Sequence, residues 1–512
     1  MNRQAFLQQF APSRLSVTAG LEAYTRPLDE RRAYHLLRRA TFGTSLQDVR
    51  KLVGMKAEDA VRLLLDNALS RPAPTPPDWV NQAFQNPERL PVGQRQKAYD
   101  DIFKKVYEQN YALKYWWIEQ MQRDTFSLRE KLTLFWHGHF TTKFSIDAIM
   151  PAPLMYRQNQ LFRTSHQGNF RALVEAVTLD GAMLIFLNGQ DNGKAKPNEN
   201  YSRELLELYT TGVGHYTEKD VQEGARALTG WRTNYFSDEW TFMPPFTTFF
   251  LPSEHDVGPK TYLGVSMPST ENNSENFVRE NVVRRLIGII HEQRAEAVAR
   301  FICEKLYRFF VYSHPAETDA AVIDGMARTF RSSGFQIRPV VEQLLSSAHF
   351  FDEANLGVQI KTPSEFIVGL TRHFNVKYDW QEWVMLQMGQ ELLNPPTVAG
   401  WPGHRTWLTT RTFPFAVQQA SYFVFEQKDA VLINWAKQFP DYTDVRKFVQ
   451  AVGTMMLARP FSQKRLDRYV GILLAGAPDY EWTNILNDPV PAGYRLKLFL
   501  IALVKAPDFH LN

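Results

Sequence analysis

Asp29-Glu30-Arg31-Arg32-Ala33-Tyr34-His35-Leu36-Leu37-Arg38-Arg39-Ala40-Thr41-Phe42-Gly43 runs directly into Thr44-Ser45-Leu46-Gln47-Asp48-Val49-Arg50-Lys51-Leu52-Val53-Gly54. In the first stretch Asp29 is a helix cap, Ala33, Leu36, Leu37 and Ala40 recur at helical spacing, and Gly43 is a stop. In the second, Ser45 with Asp48 has the form of a capping box, Leu46, Val49, Leu52 and Val53 make the buried side, and Gly54 stops it. Two helices so punctuated within the first tenth of the chain set the expectation for the rest. A third helix extends to about Leu69, and the proline-rich run from Arg71 to Pro77 is a rigid connector. A long helical pattern follows from about Lys97 to Arg123, with Tyr115-Trp116-Trp117 as core aromatics.

Ser127 and Glu130 read as another capping box for a helix burying Leu128, Leu132, Phe135 and Trp136. Gly138 is expected to end it, leaving His137 in the last turn and His139 just outside. Helices are expected again at about 169–187, 199–210 and 218–229, the last capped by Thr217 with Asp220 and stopped by Gly230. Between Trp231 and about Gly264 the pattern changes. Trp240-Thr241-Phe242 and Thr247-Thr248-Phe249-Phe250 are strand-like and are broken by Pro-Pro and Gly-Pro, which reads as a hairpin excursion. Helices resume after the polar stretch Asn272–Asn276. Val298, Phe301, Ile302, Phe309 and Phe310 mark an amphipathic one, Thr362-Pro363-Ser364-Glu365 starts another, and Asn394–His404 is a loop.

The fold class is therefore mainly α: a large multi-helical globular protein with a short β-hairpin-like excursion around 231–264. The expected division is an N-terminal helical lobe over 1–230, an aromatic-rich excursion over 231–275, and a C-terminal helical lobe over 276–512 packed as one unit with the first. A chain of 512 residues is long enough to bury a sizeable core. Lys and Arg exceed Asp and Glu by 58 − 54 = 4, and no basic run is interleaved with aromatics, so nucleic acid is not an expected partner. The lone Cys303 cannot form an internal disulfide and reads as a small buried hydrophobe. The start of the chain has no apolar signal region and no stretch reaches membrane-spanning length, which points to a cytoplasmic protein.

Phosphate loops, dinucleotide fingerprints, nucleophile elbows and His-Glu-x-x-His are absent, so weaker constellations carry the chemistry. His137-Gly138-His139 places two imidazoles at a helix end, where a turn can aim both at one ion; the helix dipole favours histidine there equally well. In Asn198-Glu199-Asn200-Tyr201-Ser202-Arg203-Glu204-Leu205-Leu206-Glu207, helical spacing puts Asn200, Glu204 and Glu207 on one face, as it also would on a solvated helix. Arg203 and Arg226 are the cations nearest in sequence. Ser253-Glu254-His255-Asp256-Val257-Gly258-Pro259-Lys260 is a polar cluster that serves either a site or a turn. Asn394 to Gly403 is most simply a rigid turn that seats Trp401.

Taken in order, six segments carry a resemblance: Ala33–Gly43, His137–Phe140, Asn198–Leu208, Ala225–Trp231, His255-Asp256 with Lys260 and Leu263-Gly264, and Pro395-Pro396 through Gly400-Trp401-Pro402. Together they resemble the bacterial domain-of-unknown-function family numbered 1800 over nearly the whole chain. No activity or cofactor comes with that resemblance. It does imply exported relatives and, through gene neighbours, a phosphatase- or sulfatase-like partner protein. It also makes convergence of the polar landmarks on one cleft an expectation. The leading reading is an enzyme in which His137, His139 and His255 hold a divalent metal, Glu204, Glu207 and Arg226 perform the chemistry, and Asn198, Glu199, Asn200, Arg203, Asp256, Lys260 and Trp401 bind substrate. Metal-assisted hydrolysis with a carboxylate base is the corresponding reaction. The alternatives are a non-catalytic scaffold that binds the phosphatase- or sulfatase-like neighbour, and a haem or another cofactor held between aromatic helices.

Overall fold

The computed structural model describes residues 14, 17–144, 149–237, 244–270 and 272–512. The protein is mainly α-helical, and its strands among these residues form two small antiparallel hairpins. The opening helices fall where the punctuation puts them. Glu30–Ala40 is capped by Asp29, whose side chain accepts from the Arg32 amide, and Leu46–Leu52 is capped by Ser45. Ala57–Ser70 follows, and the long helix begins at Val92, five residues before its expected start, and ends at Arg123. One hydrophobic cluster runs from Tyr24 to Phe509, with a small satellite around Ile360, Trp407 and Leu511 and another joining Phe84, Ile102 and Val106 to Phe236.

The helix Arg129–His139 departs from its expected capping. Ser127 still serves its start, accepting from the Arg129 amide at 3.1 Å, but the Glu130 side chain does not reach back to the chain. Instead Glu130 is fully buried and binds Arg163 through two hydrogen bonds of 2.6 and 2.7 Å, while Trp117 Nε1 donates to it at 3.0 Å. Asp124 receives the Glu130 amide at 2.9 Å. Arg163 lies on Ala152–Ser165, a helix that the periodicity reading left out, and Trp117 on the long helix. The pair thus ties three helices together, because a carboxylate removed from water needs charged and hydrogen-bonded partners.

Gly138 does not end this helix either; His139 is its last residue. The close approach at this helix end depends on Gly400, while Gly138 has room for a side-chain carbon. A Cβ on Gly138 would lie 3.7 Å from the Trp401 ring, and one on Gly400 would lie 2.3 Å from the Gly138 carbonyl oxygen. Gly400 also has φ +88°, where side chains other than glycine are strained. Gly400 therefore lets the 394–404 loop cross the helix end at backbone distance and lay Trp401 against it.

The expected helix over 169–187 is two, Phe170–Thr178 and Gly181–Phe186, with Asp180 capping the second. After the α-turn Asn200–Glu204, the residues Leu205–Thr210 wind as a π-helix. Thr217 and Asp220 form their capping box on Glu218–Ala227, and Gly230 takes φ +97° just beyond. The strand region is longer than expected and is two hairpins: Trp231–Asn234 pairs with Thr247–Phe250, and Lys260–Tyr262 with Val265–Met267. The strand-like Trp240-Thr241-Phe242 lies outside the described residues. Ala295–Phe310 buries Val298, Ile302, Cys303 and Phe310, and Thr362 with Glu365 makes the capping box of Pro363–Phe374. No helix is long and apolar enough to cross a membrane among the described residues.

Replacing Glu130 with Ala strands Arg163 in the core, and denaturant titration should record a loss of about 3–5 kcal/mol. The paired change Glu130→Met with Arg163→Leu removes both charges of the pair but leaves Arg129 and the Trp117 Nε1 donor without their carboxylate, so it should recover only part of it. Gly400→Ala should cost at least about 1–3 kcal/mol from backbone strain alone, with the clash at Gly138 added. A Gly400→Ala protein that melts with the parent would disprove the close crossing.

Candidate functional site

The end of Arg129–His139 opens on a cleft of about 290 Å³. Phe135, Gly138 and His139 line it from this helix, and Lys305, Arg308 and Phe309 from Ala295–Phe310. Both sets have the i, i+3, i+4 spacing that brings side chains onto one helical face. The helix start Thr362–Glu365 and the loop residues Trp401, His404 and Trp407 complete the wall.

His139 and Lys305 meet on one wall of this cleft. His139 is buried, and its Nε2 lies 3.0 Å from the Tyr209 carbonyl oxygen, to which it donates. That bond fixes the tautomer, so Nδ1 is an acceptor, and Lys305 Nζ donates to it at 3.0 Å. Lys305 Nζ also donates to the Leu208 carbonyl at 2.9 Å. Both carbonyls belong to the π-helix Leu205–Thr210, at a helix end where the last carbonyls have no partner within the helix and carry its negative dipole. Thr210 and Thr211 hydroxyls satisfy Leu205 and Leu206, leaving Leu208 and Tyr209 for Lys305 and His139. Burial brings the Lys305 ammonium down to about 7. Burial, and then the neighbouring Lys305 charge, holds His139 well below the usual imidazole range.

Glu365 stands on the opposite wall and binds the buried Lys131 ammonium while accepting the Thr362 amide at 2.7 Å. His404 is buried with φ +53°, neither of its ring nitrogens has a hydrogen-bond partner among the described residues, and its ring meets that of His314 at 4.1 Å. Arg308 is held by Glu304 at 2.6 Å.

The residues singled out by sequence separate into three places. His139 and Trp401 line the cleft. His137, one residue from the glycine crossing, sits in an aromatic cage of Trp117 at 5.3 Å, Trp401 at 5.6 Å and Phe162 at 6.4 Å. Among the described residues its Nε2 has no partner, and burial lowers its pKa to about 3. The Asn198–Glu207 group forms a second place. Asn198 and Asn200 build the turn, since the Asn200 amide donates to Asn198 Oδ1 at 3.0 Å, and Glu199 pairs with Arg203 at 3.2 Å. Arg203 also grips Glu218 through two bonds of 2.7 Å. Glu204 and Glu207 are half-buried and do not line the cleft; Glu207 accepts from Tyr216 at 2.5 Å, and burial followed by the Glu207 charge raises Glu204. Neither carboxylate pairs with Arg203 or Arg226, contrary to what their order in sequence suggested, because Arg226 turns to Asp256 at 2.7 Å and Glu223 at 2.8 Å. The third place is the second hairpin. There Lys260 donates to the Asp256 and Gly258 carbonyls at 2.5 and 2.8 Å, and His255 Nδ1 donates to the Thr229 carbonyl at 2.9 Å.

Among the described residues no three His, Cys, Asp or Glu side chains gather to hold a metal ion. His137, His139 and His255 fail to do so for a local reason, since each is committed to separate surroundings. Sequence reading missed Lys305, Arg308, Glu365, His314 and His404. Lys305 did leave a signal: it stands four residues from both Phe301 and Phe309, a cation in the apolar stripe of an amphipathic helix.

The family model described as "Protein of unknown function (DUF1800)" matches residues 35–511. No curated protein and no solved structure matches the chain. The protein belongs to the DUF1800 family.

Proposed function

We propose that this DUF1800 protein is an enzyme that binds a small polar substrate in the His139–Lys305 cleft and hydrolyses it with Lys305 as general base. The observation that carries the reading is the way Lys305 is held. An ammonium has three N–H donors. Two point at fixed acceptors, the Leu208 carbonyl and His139 Nδ1, and the third valence is left to the Phe301 ring, 4.5 Å from Nζ, and to the cleft that Lys305 lines. With a pKa of about 7, that valence is a lone pair in about half the molecules at neutral pH. A base poised near the working pH is what proton abstraction requires.

In this reaction the lone pair takes a proton from water as the water oxygen bonds to a substrate carbonyl carbon. The bond to the leaving group then breaks, and the leaving group departs with the proton that Lys305 returns. His139 acts as a positioning residue, because its bond to Tyr209 keeps Nδ1 available to Lys305. Phe135, Phe309, Trp401 and Trp407 give the apolar walls, and Gln359, Gln390 and Arg308 the orienting polar groups. The metal-assisted version of the reaction takes His137, His139 and His255 as ligands and Glu204 or Glu207 as base; the three histidines stand in separate surroundings, and both carboxylates lie outside the cleft. The scaffold reading, with a phosphatase- or sulfatase-like partner, assigns Lys305 no special reactivity.

Amine-directed labelling mapped by mass spectrometry separates these readings without a known substrate. At neutral pH the neutral fraction of Lys305 should exceed that of an ordinary lysine by about 10³-fold. Its labelling should rise with a midpoint near pH 7, and His139→Ala should shift that midpoint. Labelling that begins only above pH 10, as for surface lysines, would leave the scaffold reading standing. Stability offers a second check. Between about pH 7 and pH 10.5 the unfolded chain keeps a proton that folded Lys305 has released, so this group's contribution improves as pH rises and its penalty is full below that window. The stability of Lys305→Met relative to the parent should therefore be greatest below pH 7 and decline toward pH 10.5. A difference independent of pH would remove the depressed lysine from the argument.

A further inference from the structure

Two side chains buried in the wall of the His139–Lys305 cleft have hydrogen-bond donors to spare. Gln390 lines the cleft at 2% exposure, and its Oε1 accepts the Ser364 amide at 2.8 Å. A backbone N–H can bond only to the oxygen of a carboxamide, so the Gln390 head group is fixed with Nε2 left over. That nitrogen has no hydrogen-bond partner among the described residues and is not closed off from solvent. Trp407 lines the same cleft at 4% exposure, and its Nε1, which can only donate, is likewise unpartnered and not closed off. The two walls adjoin, since a Cβ on Gly389, the residue before Gln390, would lie 3.8 Å from the Trp407 ring. Buried donors without acceptors are costly, and a pair of them facing one space calls for a ligand that accepts.

The acceptors around them are committed. Gln359 Oε1 receives the Ser313 amide and hydroxyl at 3.1 and 2.8 Å, and Glu365 is occupied by Lys131 and the Thr362 amide. Charge points the same way. Among the described residues Glu365 is the only carboxylate of the lining, and Lys131 neutralises it, as Glu304 neutralises Arg308. Lys305 has no carboxylate partner there, its bonds going to a carbonyl and an imidazole. Arg405, exposed and next to His404 in the chain, adds its positive field at the rings of His314 and His404. The charge left over is positive, and one anion balances it.

A carboxylate fits this better than a phosphate. Phosphate sites draw on several cations or on free amides at a helix start. At the start of Pro363–Phe374 the Ser364 amide is taken by Gln390 and the Glu365 amide by Thr362. A single negative charge matches two neutral donors beside one cation. The cleft of about 290 Å³ is also at the lower end of small-ligand sites, about 300–1,000 Å³, so the ligand is a small molecule and not a polymer strand.

Resting on the hydrolase reading of this cleft, we propose that its substrate is a small acylated amino acid, whose free carboxylate accepts from Gln390 Nε2 and Trp407 Nε1 while its acyl carbonyl faces Lys305. Calorimetry on the full-length protein compares N-acetylalanine and N-acetylphenylalanine with their neutral N-methylamides and with inorganic phosphate. The carboxylates are expected to bind about tenfold more tightly, or better, than the methylamides and phosphate, because the neutral analogue leaves the buried donors poorly matched. Gln390→Glu keeps the oxygen that receives Ser364 and turns the donor into a like charge, which should weaken carboxylate binding about tenfold or more. Trp407→Phe removes one N–H and little volume and should weaken it about threefold or more. Circular dichroism and melting temperature show whether the variants fold; should Gln390→Glu not fold, Trp407→Phe and the ligand series on the parent protein decide. A carboxylate bound in this cleft favours the Lys305 ammonium, so it should raise the midpoint of Lys305 labelling, and the methylamides should not. The proposal is overturned if no carboxylate binds, if the methylamides or phosphate bind as tightly, if both folded variants bind like the parent, or if the Lys305 midpoint ignores the ligand. The two readings fail separately. A free-protein midpoint above pH 10 removes Lys305 as the base while the carboxylate preference stands, and a midpoint near pH 7 without that preference removes only the substrate.

Discussion

The buried carboxylate of Glu130 governs how the N-terminal half is assembled. A charge with no exposure to solvent is tolerable only if its partners are in place, and its partners come from two other helices. Hydrophobic contact alone would let the helices at 92–123, 129–139 and 152–165 slide or rotate at modest cost. The Arg163 fork and the Trp117 indole accept only one arrangement, because each hydrogen bond left unmade exposes a buried charge to an apolar core. Arg163 is further sandwiched by Trp116, whose ring lies 5.1 Å away. Nine residues beyond Glu130 the same helix delivers His139, so the core pair sets the direction from which that imidazole enters the cleft.

The cleft is built largely from groups that secondary structure leaves over. Helix ends have carbonyls without partners, and here the leftover carbonyls of Leu208 and Tyr209 orient a lysine and a histidine. The opposite wall uses the start of Pro363–Phe374, where Glu365 both caps the helix and pairs with Lys131. The loop that closes the cleft is admitted by the Gly138–Gly400 crossing. Each contact has a separate structural cause, yet they converge because three helix termini meet at one point.

The helical class, the caps at Asp29, Ser45, Thr217 and Thr362 and the strand change after Gly230 were all legible, since each follows from local spacing and local hydrogen bonds. Glu130 was misread because a capping box and a buried ion pair use the same letters; only the partner helix, itself overlooked, distinguishes them. Gly138 reads as a stop because glycine is common just past a helix end, yet here the helix runs through it to His139. α-Helical spacing puts Asn200 and Glu207 on one face, but the winding changes after Glu204. His139 and Trp401 were found, but Lys305 was passed over inside an amphipathic pattern where its neighbours were read for packing. What joins these residues is contact between segments up to 262 positions apart, from His139 to Trp401, and no single-segment rule reports that.

The π-helix at Leu205–Thr210 has a consequence for how this chain tolerates length changes. Hydrogen bonds there run to the fifth residue and not the fourth, so the turn stores one residue more than an α-helix would hold. Deleting a single residue within it would let the segment relax into regular α-helix, with every backbone bond still satisfied and the surrounding core largely kept. Because the wide turn already holds the extra residue, the segments on either side would keep their facing, and only the groups inside the turn would be redrawn. The carbonyls that now meet His139 and Lys305 would then face elsewhere. Fold and site thus differ in their tolerance of the same one-residue deletion: the helix absorbs it, and the alignment of the lysine does not.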